Sequence, residues 1–255
     1  MPFININDID LYYEVHGEGP VIIFAHGMGG NHLSWWQQIP VFSKDFQCIV
    51  YDIRGKGQSS VVTDSPAEGA FREDLKGLLD YLGIQEVYLV CQSMGGLTGT
   101  NFTVAYPEKV KGLVLSGAPG GFDPEIDEME KKRRAAMDEK DLILSARVYA
   151  KSFPDDHQAK AFLNQEIRAL NPPHRQTDTE RVSVQQLADT KVPLFMLAGE
   201  EDVLMPPVRM DMYKERLPHA HFLTIPRSGH SPYFEKPDIF NEAVMEFISK
   251  IKGQG

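Results

Sequence analysis

Four short, uninterrupted apolar runs constrain the fold of this chain more than any other feature: Val21 to Ala25, Phe46 to Tyr51, Val87 to Cys91, and Leu113 to Ser116. A strand wet on one face alternates apolar with polar residues, whereas a strand covered on both faces reads as one continuous apolar run. Stretches of helical spacing separate the runs. The first 119 residues therefore predict parallel strands joined by crossovers, not an all-β sandwich. Ile9 to Val15 reads as an earlier hairpin strand. One crossover is well marked: Ser65-Pro66-Ala67-Glu68 has the form of a capping box with proline at the first helical position. Phe71, Leu75, Leu78, Leu79 and Leu82 then share a helical face, and Gly83 closes it.

From Phe122 to about Gln186 the pattern changes. A charge-rich helical stretch is followed by Leu142 to Phe153 and by a third helical run ending before Pro172-Pro173, with no strong strand signal between them. Strand character returns at Val192 to Ala198 and at His221 to Ile225. The last helix carries Phe240, Val244, Phe247, Ile248 and Ile251 on one face. At 255 residues the chain can bury a sizeable core. The expected organisation is one α/β core, residues 1–119 and 187–255, interrupted by a helical cap at 120–186 that covers the strand ends.

A formal charge of −10 opposes nonspecific binding to nucleic acid or anionic lipid, since phosphate contacts need clustered cations. Neither nucleic acid nor membrane is expected as a partner. The one basic run, Lys131-Lys132-Arg133-Arg134, is flanked by acids and reads as a solvated helix face. Cys48 and Cys91 lie in apolar runs and are too few for a disulfide framework, so both are expected buried and reduced. The N-terminus has neither a basic nor an apolar leader region, and no apolar run approaches the roughly 20 residues of a membrane span. A cytoplasmic location is the expectation.

Several loops that follow these strands carry chemistry. Val90-Cys91-Gln92-Ser93-Met94-Gly95-Gly96 passes from strand to helix, where a sharp turn can lift a serine hydroxyl out of the backbone. After Val21 to Ala25 comes the glycine-rich His26-Gly27-Met28-Gly29-Gly30. After Phe46 to Tyr51 comes Asp52-Ile53-Arg54-Gly55-Lys56-Gly57-Gln58-Ser59, whose spacing fits neither the dinucleotide fingerprint nor the P-loop. Asp202 follows Val192 to Ala198 at a strand end. His230, in Ser228-Gly229-His230-Ser231-Pro232, follows His221 to Ile225.

The order Ser93, Asp202, His230, each just past a strand, resembles that of the α/β-hydrolase superfamily, and the likeness runs from about residue 9 to residue 251 apart from the middle segment. The fold this implies is a mostly parallel central sheet flanked by helices, with a helical cap insertion. The elbow departs from the common Gly-x-Ser-x-Gly, with Cys91 in place of the first glycine. Cysteine is small enough for the tight strand-to-helix packing, and its thiol should point into the core while Ser93 points out. Gln92 cannot serve as a base, because an amide does not titrate.

The resemblance implies a serine hydrolase of carboxylic esters or lactones working through an acyl-enzyme on Ser93. His230 would be the general base and Asp202 its orienting acid. The backbone N–H groups of Met28 and Met94 would hold the oxyanion. The partner would be a small-molecule ester or lactone, with no cofactor and no metal. Met28, Met94, Trp35, Trp36, Phe122, Met205 and Tyr233 are candidates for an apolar substrate pocket, although ordinary helix packing explains Trp35 and Trp36 better. Enol-lactonase, perhydrolase and carbon–carbon bond hydrolase share the triad. The last ranks lower because Ser231-Pro232-Tyr233, without tryptophan, follows His230. A ligand-sensing protein on the same fold is the alternative of a different class.

Overall fold

The computed structural model describes residues 3–60, 68–138, 148–172 and 178–253. Its strands are β1 (Phe3–Ile6), β2 (Ile9–His16), β3 (Val21–Ala25), β4 (Gln47–Tyr51), β5 (Val87–Gln92), β6 (Val110–Ser116), β7 (Leu194–Gly199) and β8 (His221–Ile225). They form one sheet in the order β1-β2-β4-β3-β5-β6-β7-β8. β1 and β2 pair antiparallel, as do β2 and β4, and every later pairing is parallel. The fold is the mostly parallel α/β architecture that the apolar runs predict.

The helices are α1 (Ile39–Phe42), α2 (Ala70–Tyr81), α3 (Met94–Ala105), α4 (Pro124–Ala135), α5 (Phe153–Asp156), α6 (Gln158–Ala169), α7 (Val184–Asp189), α8 (Pro207–Arg216), α9 (Pro232–Glu235) and α10 (Pro237–Lys252). Successive residues of a strand point to opposite faces, so the continuous runs feed two cores at once. Ile23, Ala25, Leu89, Cys91, Leu113 and Leu115 pack with Phe71, Leu75 and Leu78 of α2 and Phe102 of α3. Ile22, Phe24, Val90 and Val114 pack on the other side with Phe240, Val244 and Phe247 of α10. Each of the larger of these side chains, the leucines, isoleucines, valines and phenylalanines, contributes about 1.5 to 3 kcal/mol when fully buried, which is why these runs dictate the topology. Cys48 and Cys91 are free and buried, and they fall in the two opposite cores. The expectation of reduced thiols therefore holds.

Three details differ from the sequence reading. The hairpin has a partner strand, β1, joined to β2 through Asn7 and Asp8, both with positive φ (47° and 63°). Such a turn matches strand twist, but Asn-Asp signals it more weakly than Asn-Gly. The expected capping box begins at Ser65, and 61–67 lie outside the described residues; α2 itself starts at Ala70. Its leading N–H groups are taken from afar, with Gly69 N and Phe71 N each donating to the buried carboxylate of Asp178 at 3.0 Å. At the other end Gly83, with φ 70°, closes the helix as expected. The basic run is a solvated face except at Arg133: Lys131, Lys132 and Arg134 are exposed, Arg133 is half-buried, and both arginines pair with buried Glu130.

The middle segment leaves and re-enters the core through a narrow neck, where Phe122 N donates to Val182 O at 2.7 Å and Val184 N to Phe122 O at 3.0 Å. Within it, α6 turns Asn164 and Ile167 inward. Of the expected helical run Leu142 to Phe153, residues 142–147 lie outside the described residues, and 149–152 are bend and turn leading to α5, which begins at Phe153. Among the described residues no helix is long and apolar enough to cross a membrane.

Candidate active site

Ser93 occupies the turn between β5 and α3 with φ 50° and ψ −112°, a conformation costly for any residue with a Cβ, of order 1–3 kcal/mol. Hydrogen bonds fix it from both sides: Ser93 N donates to Ser116 O at 3.0 Å, and Gly96 N donates to Ser93 O at 2.9 Å. Gly95 is required here, because a Cβ on it would sit 2.3 Å from the carbonyl oxygen of Ala25. The atypical Cys91 is accommodated one turn further on, since the space a Cβ would take at Gly99 is filled by the Cys91 sulfur. Burial pushes the Cys91 thiol well up, so it stays protonated in the core, away from the reaction side.

Ser93 Oγ lies 2.9 Å from His230 Nε2, and His230 Nδ1 lies 2.9 Å from Asp202 Oδ2. Asp202, only 2% exposed, accepts Leu204 N and Met205 N on Oδ1 at 2.8 and 2.9 Å. Its orientation is therefore set by backbone that cannot rotate away. A carboxylate can only accept, so the Nδ1 beside it carries the proton and Nε2 presents a lone pair to the Ser93 hydroxyl. The loops after β5, β7 and β8 thus bring together three residues spread over 138 positions of sequence, counting from Ser93 to His230.

Met94 opens α3, so its N–H precedes the helix's own ladder. Neither it nor the N–H of Met28 finds an acceptor among the described residues. Gly27 beside Met28 comes close enough to Ser93 that a Cβ there would stand 3.2 Å from the serine's own Cβ. Both N–H groups thus belong to segments that flank Ser93. His26, fully buried, holds the base of this loop: Ile53 N donates to His26 Nε2 at 3.0 Å, which leaves the proton on Nδ1 to donate to Gly27 O at 2.8 Å. Burial pulls its pKa down to about 4. Asp52 is a brace for the same region, accepting His32 N at 2.6 Å and Gln58 N at 2.8 Å.

Two polar residues, Glu235, absent from the sequence reading, and Gln92, hold the histidine loop. Glu235, 3% exposed, accepts Gly229 N at 3.0 Å, Ser231 N at 3.2 Å and, from the middle segment, Ala150 N at 2.8 Å. Burial raises its pKa, and those N–H groups pull it partly back. Gln92 donates to the His230 carbonyl at 3.2 Å, while its Oε1 occupies the space beside Gly27. A buried glutamate five residues past the histidine has no periodic signature, and Gln92 was legible only as a group unable to titrate.

Ser93 and His230 open into a cavity of about 590 Å³ between the strand ends and α6. Of the seven expected pocket residues, Met28 and Tyr233 line it; Met94, Trp35, Trp36, Phe122 and Met205 do not. Trp35 and Met205 are buried in packing, Trp35 against Phe24 and Tyr233, and Trp36 and Phe122 face outward. The cavity is not the apolar pocket expected, for Gln92, Asn164, Asn171, Lys56, Arg134 and Arg168 also line it. These side chains come from the core loops and the middle segment, whose polar inward residues carry no sequence signal distinguishing them from solvent-facing ones. Among the described residues no cluster of His, Cys, Asp or Glu is arranged to hold a metal ion.

A protein of Azorhizobium caulinodans that carries the provisional name carbamate hydrolase RutD is 26% identical over 98% of this chain and 99% of its own length. The 2-hydroxy-6-oxononadienedioate/2-hydroxy-6-oxononatrienedioate hydrolase of Comamonas testosteroni is also 26% identical, over 97% of this chain and 96% of its own. Among solved structures, a thermophilic esterase from Thermogutta terrifontis superposes with a TM-score of 0.80 at 26% identity, covering 95% of this chain and 94% of that one. The α/β hydrolase fold family model matches residues 20–169, from β3 through the elbow to the end of α6. Sheet order, strand-end loops and this match agree, and the chain belongs to the α/β-hydrolase fold family.

Proposed function

We propose that the chain is a serine hydrolase of small carboxylic esters or lactones, acting through an acyl-enzyme on Ser93. The observation that carries the reading is the continuous line from Ser93 Oγ to His230 Nε2 and from His230 Nδ1 to Asp202, at 2.9 Å for each step. Relatives over nearly the full length are named as hydrolases, and the esterase of Thermogutta terrifontis shares the fold at 26% identity, which supports hydrolysis and favours esters.

In this mechanism the Ser93 proton passes to His230 Nε2 as Oγ attacks the substrate carbonyl. The oxyanion is met by the N–H groups of Met28 and Met94, each such donor being worth about 2.7 to 4 kcal/mol in the transition state. Collapse breaks the bond to the leaving oxygen, which takes the proton from His230. Water then gives its proton to His230 and attacks the acyl carbon, releasing the acid and restoring the serine. Asp202 keeps the imidazole in the right tautomer and stabilises its charged form throughout. The middle segment, 120–186, serves as the cap that closes the cavity.

The test is hydrolysis of a panel of 4-nitrophenyl esters and lactones by wild type and Ser93→Ala, with intact-mass detection of an adduct from an active-site-directed phosphonate. Wild type should turn over at least one of them and gain one adduct at Ser93; the variant should do neither while melting at the same temperature. Ester hydrolysis retained by Ser93→Ala would falsify the assignment.

A further inference from the structure

The cavity beside Ser93 has the opposite charge sense to the protein that contains it. The chain carries a formal −10, yet Lys56, Arg134 and Arg168 line the cavity and, among the described residues, no carboxylate does. Two of these cations are engaged: Arg134 pairs with Glu130, and Lys56 has an interaction of its own. Arg168, the penultimate residue of α6, differs. Its guanidinium finds no acceptor among the described residues, although a half-buried cation without a partner loses hydration it does not recover.

Nor is Arg168 free to drift. The residue before it is fastened to the core by buried Asn31, whose Nδ2 donates to Ile167 O at 2.8 Å. Three residues after it, Asn171 donates to Gly29 O and accepts from Gly57 N, both at 2.9 Å. The guanidinium lies so close over Gly29 that a Cβ there would be 2.2 Å from its nearest nitrogen. Gly29 follows Met28, so the charge is held beside the same loop that offers a backbone donor to the reacting carbonyl.

From this we infer that Arg168 is a specificity-determining residue that seats an anionic group of the substrate. The substrate class is a carboxylic ester or lactone bearing a second, free carboxylate, with that carboxylate on Arg168 and the scissile carbonyl on Ser93. A planar fork that, among the described residues, has no acceptor suits one carboxylate, which it can bind through two parallel N–H bonds; a phosphate dianion would call for more such cations than the described lining offers. The inference rests on the reading of Ser93 as nucleophile and narrows it from esters in general to half-esters and carboxylated lactones.

The test compares 4-nitrophenyl hemiglutarate with 4-nitrophenyl pentanoate, which have acyl chains of equal length ending in a carboxylate or in a methyl. Wild type should favour the hemiglutarate in kcat/KM by roughly 10- to 100-fold, the range for a hydrogen-bonded charge, mostly through KM because the contact is remote from the reacting carbon. Arg168→Gln should bring that ratio down to about one, and Arg168→Lys should recover part of it. A wild-type preference for the pentanoate, or a ratio unchanged in Arg168→Gln, overturns the inference while leaving Ser93-dependent hydrolysis intact. If neither ester is cleaved, the function proposed above is what fails, and binding decides the inference. Calorimetry should then show monomethyl glutarate binding to Ser93→Ala and not to the double variant with Arg168→Gln; equal binding by the two overturns it.

Discussion

On the core side of the cavity Ser93, His230 and Asp202 stand on loops leaving β5, β8 and β7, and each has a second bond that fixes it, whereas the side formed by α6 hangs from a few amide tethers and presents a cation with no acceptor among the described residues. The sheet imposes positions to fractions of an ångström, as bond-making requires. The role inferred for Arg168 asks only that the middle segment bring a charge to the right neighbourhood, and Asn31 and Asn171 fasten that stretch to the core. The proposed function and the role inferred for Arg168 would put chemistry and recognition on opposite walls, and changes on each wall should then separate kcat from selectivity.

The largest effect is expected from the core wall. Asp202→Asn keeps an oxygen for Leu204 N and Met205 N, so the loop should fold, but it turns an amide NH2 toward His230 and favours the wrong tautomer. A fall in kcat of about 10⁴ is expected, with little change in melting temperature. Stopped assays on a 4-nitrophenyl ester measure it, and a variant within tenfold of wild type would break the assignment of the chemistry to this wall.

Glu235 joins the two walls, since it accepts Gly229 N and Ser231 N on either side of His230 and Ala150 N from the middle segment. Glu235→Ala strands three buried donors, each costing about 1 to 3 kcal/mol if water does not replace the carboxylate. A loss of about 3 kcal/mol in urea unfolding is expected, together with a drop in kcat as the histidine loop loosens. Glu235→Gln keeps one acceptor and should lie between. An alanine variant of unchanged stability would mean that the walls are independent.

How far the chain was legible follows the same division. Strands β3 to β7 could be read because burial on both faces writes an apolar run; Ser93 and Asp202 could be singled out because each follows such a run, and His230 because it follows the partly buried strand β8. What escaped reading depends on contacts distant in sequence. Asp178 caps α2 from more than a hundred residues away, Glu235 acts through backbone N–H groups, and Arg168 is one polar residue among many on an amphipathic helix. Composition and spacing register none of these, since a carboxylate or guanidinium reads the same in sequence whether it meets solvent, a helix terminus or a cavity. The expected apolar pocket failed for that reason: methionines and aromatic residues near strand ends could be seen, but which of them would be spent on packing could not.

Acid gives the smallest of these effects and sharpens the contrast once more. His26 braces the Gly27–Met28 loop on the core wall as a neutral ring, with Nε2 accepting from Ile53 N, so protonation there breaks a bond that holds this loop in place. Its native pKa of about 4 lies below the ordinary 6.5, so between those values the unfolded chain binds a proton that the folded one refuses. Stability from this source is therefore full above about pH 6.5 and lost as pH falls toward 4, amounting to about 2 kcal/mol between pH 7 and pH 4.5. Glu235, whose pKa burial raises, works in the opposite sense, so total stability alone is not diagnostic. The measurement is urea unfolding of wild type and His26→Gln at both pH values. Wild type should lose about 2 kcal/mol more than the variant, because an amide supplies a donor and an acceptor without titrating; equal losses would show that the buried imidazole is not the acid-sensitive brace of this wall.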